Sequence, residues 1–188
     1  LVTPSTYYTM VNAYRWLSKK NLVTGSSSGE EIEGTTMPKD YLLGMSTVQK
    51  KAAQKAIQKL PALNALRKAN AVVYTQYLAE HGLNHVRPEY HDDHLFLKYP
   101  LLVKDRDAFF RYAKEAHIPL GDWFISPLHP VVGDLSPWGF EPECYPNAVF
   151  AASHVVNLPT DTQYLDKVIA FLEKHTDLIF DQTLEGRI

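Results

Sequence analysis

Residues 45–78, MSTVQKKAAQKAIQKLPALNALRKANAVVYTQYL, hold the pattern from which the rest of the chain is read. Apolar side chains fall at 45, 48, 52, 53, 56, 57 and 60, spacings that gather on one face of a helix. Lys50, Lys51, Lys55 and Lys59 largely occupy the other side, and Ser46 stands where an N-cap belongs. Pro61 suits the first turn of a new helix but not the interior of a continuing one, so a break is expected there and a pair of helices around it. The second helix would carry Leu63, Leu66, Asn70, Val73 and Tyr77 on one stripe and stop at His81-Gly82. That stripe is short for a coiled coil and interrupted by Asn70, so a sheet or another helix is its expected partner.

Upstream, residues 5–20 space Tyr7, Met10, Val11, Tyr14 and Leu17 as a helix, with Ser5 as candidate cap, and residues 21–40 (GSSSGEEIEG within them) read as an irregular connection. Downstream, residues 94–103 read as a strand with Pro100 at an edge, bulge or end. Asp105 is placed to cap a helix from Arg106 to Ala116 with Phe109, Phe110 and Ala113 inward, and residues 120–126 suggest another strand. Residues 127–146 hold five prolines and form a stiff loop of the kind that lines sites. Residues 147–157 suggest a short helix, and a last helix is expected from a cap at Thr160 or Asp161 to about His175. Helices segregated against a small antiparallel sheet make an α+β domain; the strands are too few for a doubly wound nucleotide fold.

The 188 residues and 21.4 kDa suit one domain, or one domain with an appendage. A compact chain of that mass keeps roughly 9,000 Å² exposed of about 31,000 Å² unfolded, enough burial for a core without cross-links. Hydrophobic content of 45% and charged content of 21% exclude a disordered or fibrous chain. The formal charge of -2 comes without a basic block, so no nucleic-acid partner is expected. Cys144 is the single cysteine, which fits a reducing compartment, and no apolar run is long enough for a membrane span. No signal core follows Leu1, and a start on leucine reads as a piece of something longer.

Little reads as complete chemistry from residue types alone. GSSSG is a weak anion nest and a better flexible linker. His91, Asp92, Asp93 and His94, with His85, contain metal-ligand types, but one extended stretch seldom converges its ligands, so a solvated turn is the favoured reading. His129 lies between prolines in SPLHP, either as a polar anchor or proton donor facing a cleft or as a partner of a loop carbonyl. Trp123, Phe124 and Trp138 would line the same cleft or simply fill core, and Ser126 and Cys144 have no evident base.

Taken together, these pieces resemble DegT-type sugar aminotransferases, pyridoxal-phosphate-dependent enzymes of fold type I. Met45, Ser46, Val48, Gln49, Leu60, Leu63, Arg67, Asn70, Ala71, Tyr74 and Leu78 fall where that family has "R-M-S-x-L-Q-A-A" and, further on, "R-R-x-x-A-x-x-Y-x-x-x-L". The match runs on through Lys104-Asp105-Arg106-Asp107, His117-Ile118 (Gly-Ile in the family), Pro127-Leu128-His129, Pro146-Asn147-Ala148 and Asn157-Leu158-Pro159. Leu1-Val2-Thr3 resembles the strand end that precedes the first helix.

The resemblance implies the small C-terminal domain of such an enzyme over residues 45–188, with 1–44 as the end of the large domain and the connection between the two. It implies a cytoplasmic homodimer acting on a nucleotide-linked keto sugar, for example in lipopolysaccharide biosynthesis, with pyridoxal phosphate bound in the full-length parent. The family's Schiff-base lysine lies upstream of the residues matched by 1–3, so this chain alone is expected to lack it, to hold no cofactor and to be inactive. By the same resemblance His129, Ser126, Trp123 and Phe124 line the substrate side. Where the family has "N-Y-R-M-S", this chain has Leu42-Leu43-Gly44 before Met45, so the usual asparagine and arginine are missing; Lys39 and Tyr41 are the candidate cofactor contacts in their place. That loss also motivates the alternative of a non-catalytic dimerisation or interaction module.

Overall fold

A computed structural model describes residues 4–20, 22, 37 and 42–182 of the chain. Lys39, Tyr41, Leu1-Val2-Thr3 and nearly all of the 21–40 connection lie outside the described residues. Helix α1 spans Pro4–Lys19, as the spacing predicts, and α2 spans Thr47–Glu80. Strand β1 is Tyr99–Leu102, helix α3 Arg106–Glu115, helix α4 Pro146–His154, strand β2 Val155–Leu158 and helix α5 Leu165–Lys174.

α2 is one helix, where a pair was expected. Its 34 residues extend for about 51 Å with Pro61 inside. The start is fixed by a capping box: the Gln49 amide donates to Ser46 Oγ at 3.3 Å, and the Ser46 amide donates to Gln49 Oε1 at 2.8 Å. The end is a Schellman turn. Gly82 takes φ +66, its amide donates to the Ala79 carbonyl, and the Leu83 amide reaches back to the Leu78 carbonyl at 2.9 Å. Continuity through Pro61 follows from what surrounds it. Alanine, lysine, glutamine and leucine fill most of 49–60, all strong helix formers, and their summed preference outweighs the one lost amide.

The halves of α2 meet different surroundings. Of residues 47–60 only Ala53 is even partly covered, whereas Asn70, Ala71, Tyr74, Thr75 and Leu78 are buried. The core stripe therefore runs about one position away from the expected one, leaving Val73 exposed and Tyr77 half-buried. That stripe packs with Phe96, Tyr99, Leu101, Phe109, Ile118, Leu158, Leu172 and Ile179 into one cluster.

The sheet has two antiparallel strands, with Tyr99 opposite Leu158 and Leu102 opposite Val155. Three sequence expectations are corrected around it. The strand expected over 94–103 is confined to 99–102, and Pro100 lies inside it. Residues 155–157, expected to be helical, belong to β2: all four β2 side chains are buried, and the Val155-Val156 pair is β-branched and suited to a pleated surface. Residues 120–126 form no strand; only Gly121 bridges β2, exchanging backbone hydrogen bonds with Asn157 at 2.9 and 3.2 Å. A Cβ on Gly121 would lie 3.1 Å from Asn157 Cβ, so the close approach explains the glycine.

α3 begins as the sequence indicates, with Asp105 Oδ1 accepting from the Ala108 amide at 2.9 Å. Phe109 and Ala113 are buried as expected, while Phe110 is only partly covered. It ends in a second Schellman turn, closed by Ile118 N to Ala113 O at 2.8 Å and His117 N to Lys114 O at 3.0 Å. His117 holds φ +54 there, the left-handed position at which the resembled family carries glycine. Replacing His117 by glycine should stabilise the fold by about 1 kcal/mol, because glycine removes the Cβ clash of that conformation. Urea unfolding would show it as a higher midpoint at unchanged slope.

α5 starts at Leu165 rather than after a cap at Thr160 or Asp161. Thr160 is fully buried, and its hydroxyl donates toward the Phe96 carbonyl at 2.7 Å and the Leu97 carbonyl at 3.1 Å, which takes it away from any helix end.

Candidate functional site

The segment from Gly121 to Val131 leaves β2 at the Gly121–Asn157 bridge and is held at its root by Asn157, whose Nδ2 donates to the Trp123 carbonyl at 3.0 Å. Phe124 is turned outward with φ +64, a left-handed conformation that aromatic residues seldom adopt. Trp123, Phe124 and Ile125 are all exposed, so the two aromatics are not core. Their rings meet edge to face with centroids 6.4 Å apart. The His129 ring lies 5.8 Å from that of Phe124. Sequence-derived candidates Trp123, Phe124 and His129 therefore come together on one proline-framed loop.

Ser126 belongs to the same loop but faces inward. It is buried, its hydroxyl accepts from the Leu128 amide at 3.3 Å, and its carbonyl accepts from the His129 amide at 3.1 Å. Its visible work is to fold the turn on which His129 rides. Trp138 lies further on in a short 3-10 turn, Ser136–Trp138, and is half-buried.

His129 Nδ1 is sealed from solvent and has no hydrogen-bond partner. The imidazole stands beside an exposed aromatic face with ring hydrogen-bonding capacity left unused. Nδ1 makes no bond to a loop carbonyl.

Two charged residues frame the loop that sequence reasoning did not single out. Arg15 of α1 reaches Asp122 at 3.2 Å, an exposed ion pair across 107 positions. Arg106, at the first turn of α3, donates to the Ala152 carbonyl at 3.0 Å and lies over the Phe110 ring. Burial lowers the pKa of its guanidinium from the ordinary value, and the nearby carboxylates of Asp107 and Asp122 work against that shift. Nothing in the sequence around Asp122 marks its partner, 107 positions away.

The histidine-rich stretch resolves as structure. His91 Nε2 lies 3.0 Å from Thr75 Oγ1, and His94 Nδ1 accepts from the Phe96 amide at 2.9 Å. Both rings pack on Phe96. His85 Nδ1 bonds the Leu83 carbonyl at 2.9 Å. Among the described residues no three His, Cys, Asp or Glu side chains converge on a metal position. Nor is any helix among them long and apolar enough to cross a membrane.

Pyridoxal phosphate chemistry needs a lysine amine sheltered from water. No described lysine is buried. Lys68 and Lys104 spend their amines on the Asp92 and Asp177 carbonyls, at 2.7 and 2.8 Å. The described residues by themselves do not fit that cofactor.

A small α+β domain whose helices pack on a two-stranded sheet, with an aromatic and histidine-bearing loop presented from one edge, is the class defined by these features. The chain belongs to the DegT/DnrJ/EryC1/StrS aminotransferase family, matching it over residues 29–170. No curated protein matches the chain.

Proposed function

We propose that this chain acts as the small lobe of a pyridoxal-phosphate-dependent aminotransferase whose substrate is a nucleotide-linked keto sugar, residues 45–188 forming the lobe and 1–44 the link to a large domain. The family match over 29–170 supports the transaminase assignment. The observation that carries the lobe reading is the mismatch between that family and the described lysines, none of which is buried. The resemblance puts the imine-forming lysine upstream of the residues matched by 1–3, and on that reading the isolated chain is inactive.

In the assembled enzyme the loop from Trp123 to His129 faces the substrate. Trp123 and Phe124 offer flat apolar surface to a sugar or base, and the His129 ring hydrogen-bonds a substrate oxygen. Ser126 positions His129 through the turn. By the resemblance, Lys39 and Tyr41 are the proposed contacts to the cofactor phosphate. By the same resemblance we place the enzyme in the cytoplasm as a homodimer.

The test uses the chain itself. Mixed with pyridoxal phosphate and reduced with borohydride, it should give only scattered, substoichiometric labelling of its exposed lysines on peptide mass mapping. One lysine labelled to completion would place the reactive amine inside the chain and overturn the lobe reading.

The second reading, a non-catalytic interaction module, is favoured by Leu42-Leu43-Gly44, three exposed residues without a charged or amide group where the family's phosphate contacts stand. Cofactor retention by the full-length parent separates the two.

A further inference from the structure

We propose that Asn157 is a positioning residue, whose side-chain amide holds the peptide between Trp123 and Phe124 and so keeps the Phe124 ring beside His129. Strand β2 reads Val155-Val156-Asn157-Leu158, and all four side chains are buried. An amide in such a strand costs desolvation unless it finds a partner. Asn157, 2% exposed, spends its Nδ2 neither on the sheet nor on the core but on the Trp123 carbonyl, at 3.0 Å. Only the NH2 end of the amide can donate to a carbonyl, so its orientation is settled by that partner. The Asn157 backbone meanwhile exchanges two hydrogen bonds with Gly121, and the loop is gripped at Gly121 and again at Trp123.

The second grip falls on the peptide unit that ends at the Phe124 nitrogen, and the φ of Phe124 is the rotation between that unit and its own Cα. That φ is +64, left-handed, where Cβ crowds the residue's own backbone. Such a conformation persists only where its surroundings over-determine it. Burial does not supply the hold in this chain, since Phe124 is 55% exposed. A peptide plane pinned from β2 does. Released from Asn157, the plane can rotate and φ can return to the negative values that side-chain-bearing residues prefer. The ring would then leave its edge-to-face contact with Trp123 and its place 5.8 Å from the His129 ring. Ser126 holds the other side of the arrangement, its carbonyl accepting from the His129 amide at 3.1 Å. What this placement does for a substrate rests on the reading of the loop as substrate-facing; the placement itself does not, and its test needs no substrate.

NMR of the purified chain reads it directly. In the unaltered chain Phe124 should show the strong intraresidue amide–Hα NOE of a positive φ. Phe124→Gly removes the ring and thereby measures the shift that the ring imposes on the His129 ring protons. Asn157→Leu is expected to weaken the NOE and to abolish most of that ring-induced shift, while resonances of residues 70–78 and 106–115 keep their positions. In the double variant Asn157→Leu, Phe124→Gly, His129 should move no further than in Phe124→Gly alone. An Asn157 that merely supported the fold would lower the thermal midpoint without touching the shift. Gly121→Ala, whose Cβ would lie 3.1 Å from Asn157 Cβ, attacks the same grip from the loop side and should reproduce the change. The proposal is overturned if Phe124 lacks the NOE, if the ring-induced shift survives Asn157→Leu, or if His129 moves as much with glycine at 124. It is overturned equally if Asn157→Leu and Gly121→Ala both unfold the chain, since the bridge would then support the whole fold. Shifts as expected, with substrate binding by the full-length parent unimpaired in Phe124→Gly, would uphold the positioning and sink the substrate-facing reading instead.

Discussion

Replacing Asn70 by leucine is expected to destabilise the domain by about 3 kcal/mol, the larger part of it from carbonyls left without donors. Asn70 is buried in the middle of the α2 stripe, and its Nδ2 donates to the Thr160 and Thr162 carbonyls, both at 2.8 Å. One turn along, Tyr74 Oη donates to the Pro159 carbonyl at 2.7 Å. Burial, and secondarily the charge of Asp161, raises the Tyr74 pKa far above the ordinary phenol value, so that hydroxyl stays a donor. These contacts tie the chain leaving β2 to α2, and Thr160 passes the tie on to the Phe96 carbonyl. Leucine keeps the branched outline of asparagine with bulkier ends, so no cavity accompanies the change, and the loss combines the broken tether with local crowding. At roughly 2–4 °C per kcal/mol for a domain of this size, the thermal midpoint should fall by about 6–12 °C. A fall of only a degree or two would mean that water reaches those carbonyls and the tether contributes little.

Asn70 also marks the limit of what periodicity alone conveys. On the stripe it reads as a flaw, an amide among leucines; only the path of residues 159–162, some ninety positions away, shows two carbonyls waiting for it. Local signals fared better because their physics is local. The Ser46 cap, the Asp105 cap and the His81-Gly82 stop each involve residues a few positions apart, and each stands in the structure as the sequence indicates. Residues 120–126 read as a strand by residue type, yet a strand needs a ladder, and past Gly121 the backbone turns away to Phe124 with positive φ. The Val155-Asn157 stretch continues an alanine-rich helix in sequence, and pairing with β1 decides against it. For the site, prolines around His129 signalled a stiff loop, and the exposed aromatics beside it were legible as types. The sealed Nδ1, the Asn157 tether and the Arg15–Asp122 pair depend on contacts that no spacing encodes.

Pro61→Ala carries the other large expected effect, in the opposite direction and in one half of one helix. A proline in a helix interior is about 3 kcal/mol less favourable than alanine, since it removes an amide donor and presses its ring on the preceding turn. In α2 the carbonyl left without that amide is Ile57's, within the half that the rest of the described chain does not cover. Tertiary contacts hold residues 70–78, so the strain at residue 61 is borne by the bare segment before it. Its helix opens alone, and native-state hydrogen exchange at the amides of 51–60 reports that opening. Alanine should slow their exchange by roughly a hundredfold, the equivalent of about 3 kcal/mol, while amides of 70–80 change little. If exchange in 51–60 is unaltered, the opening is limited by missing packing rather than by the proline.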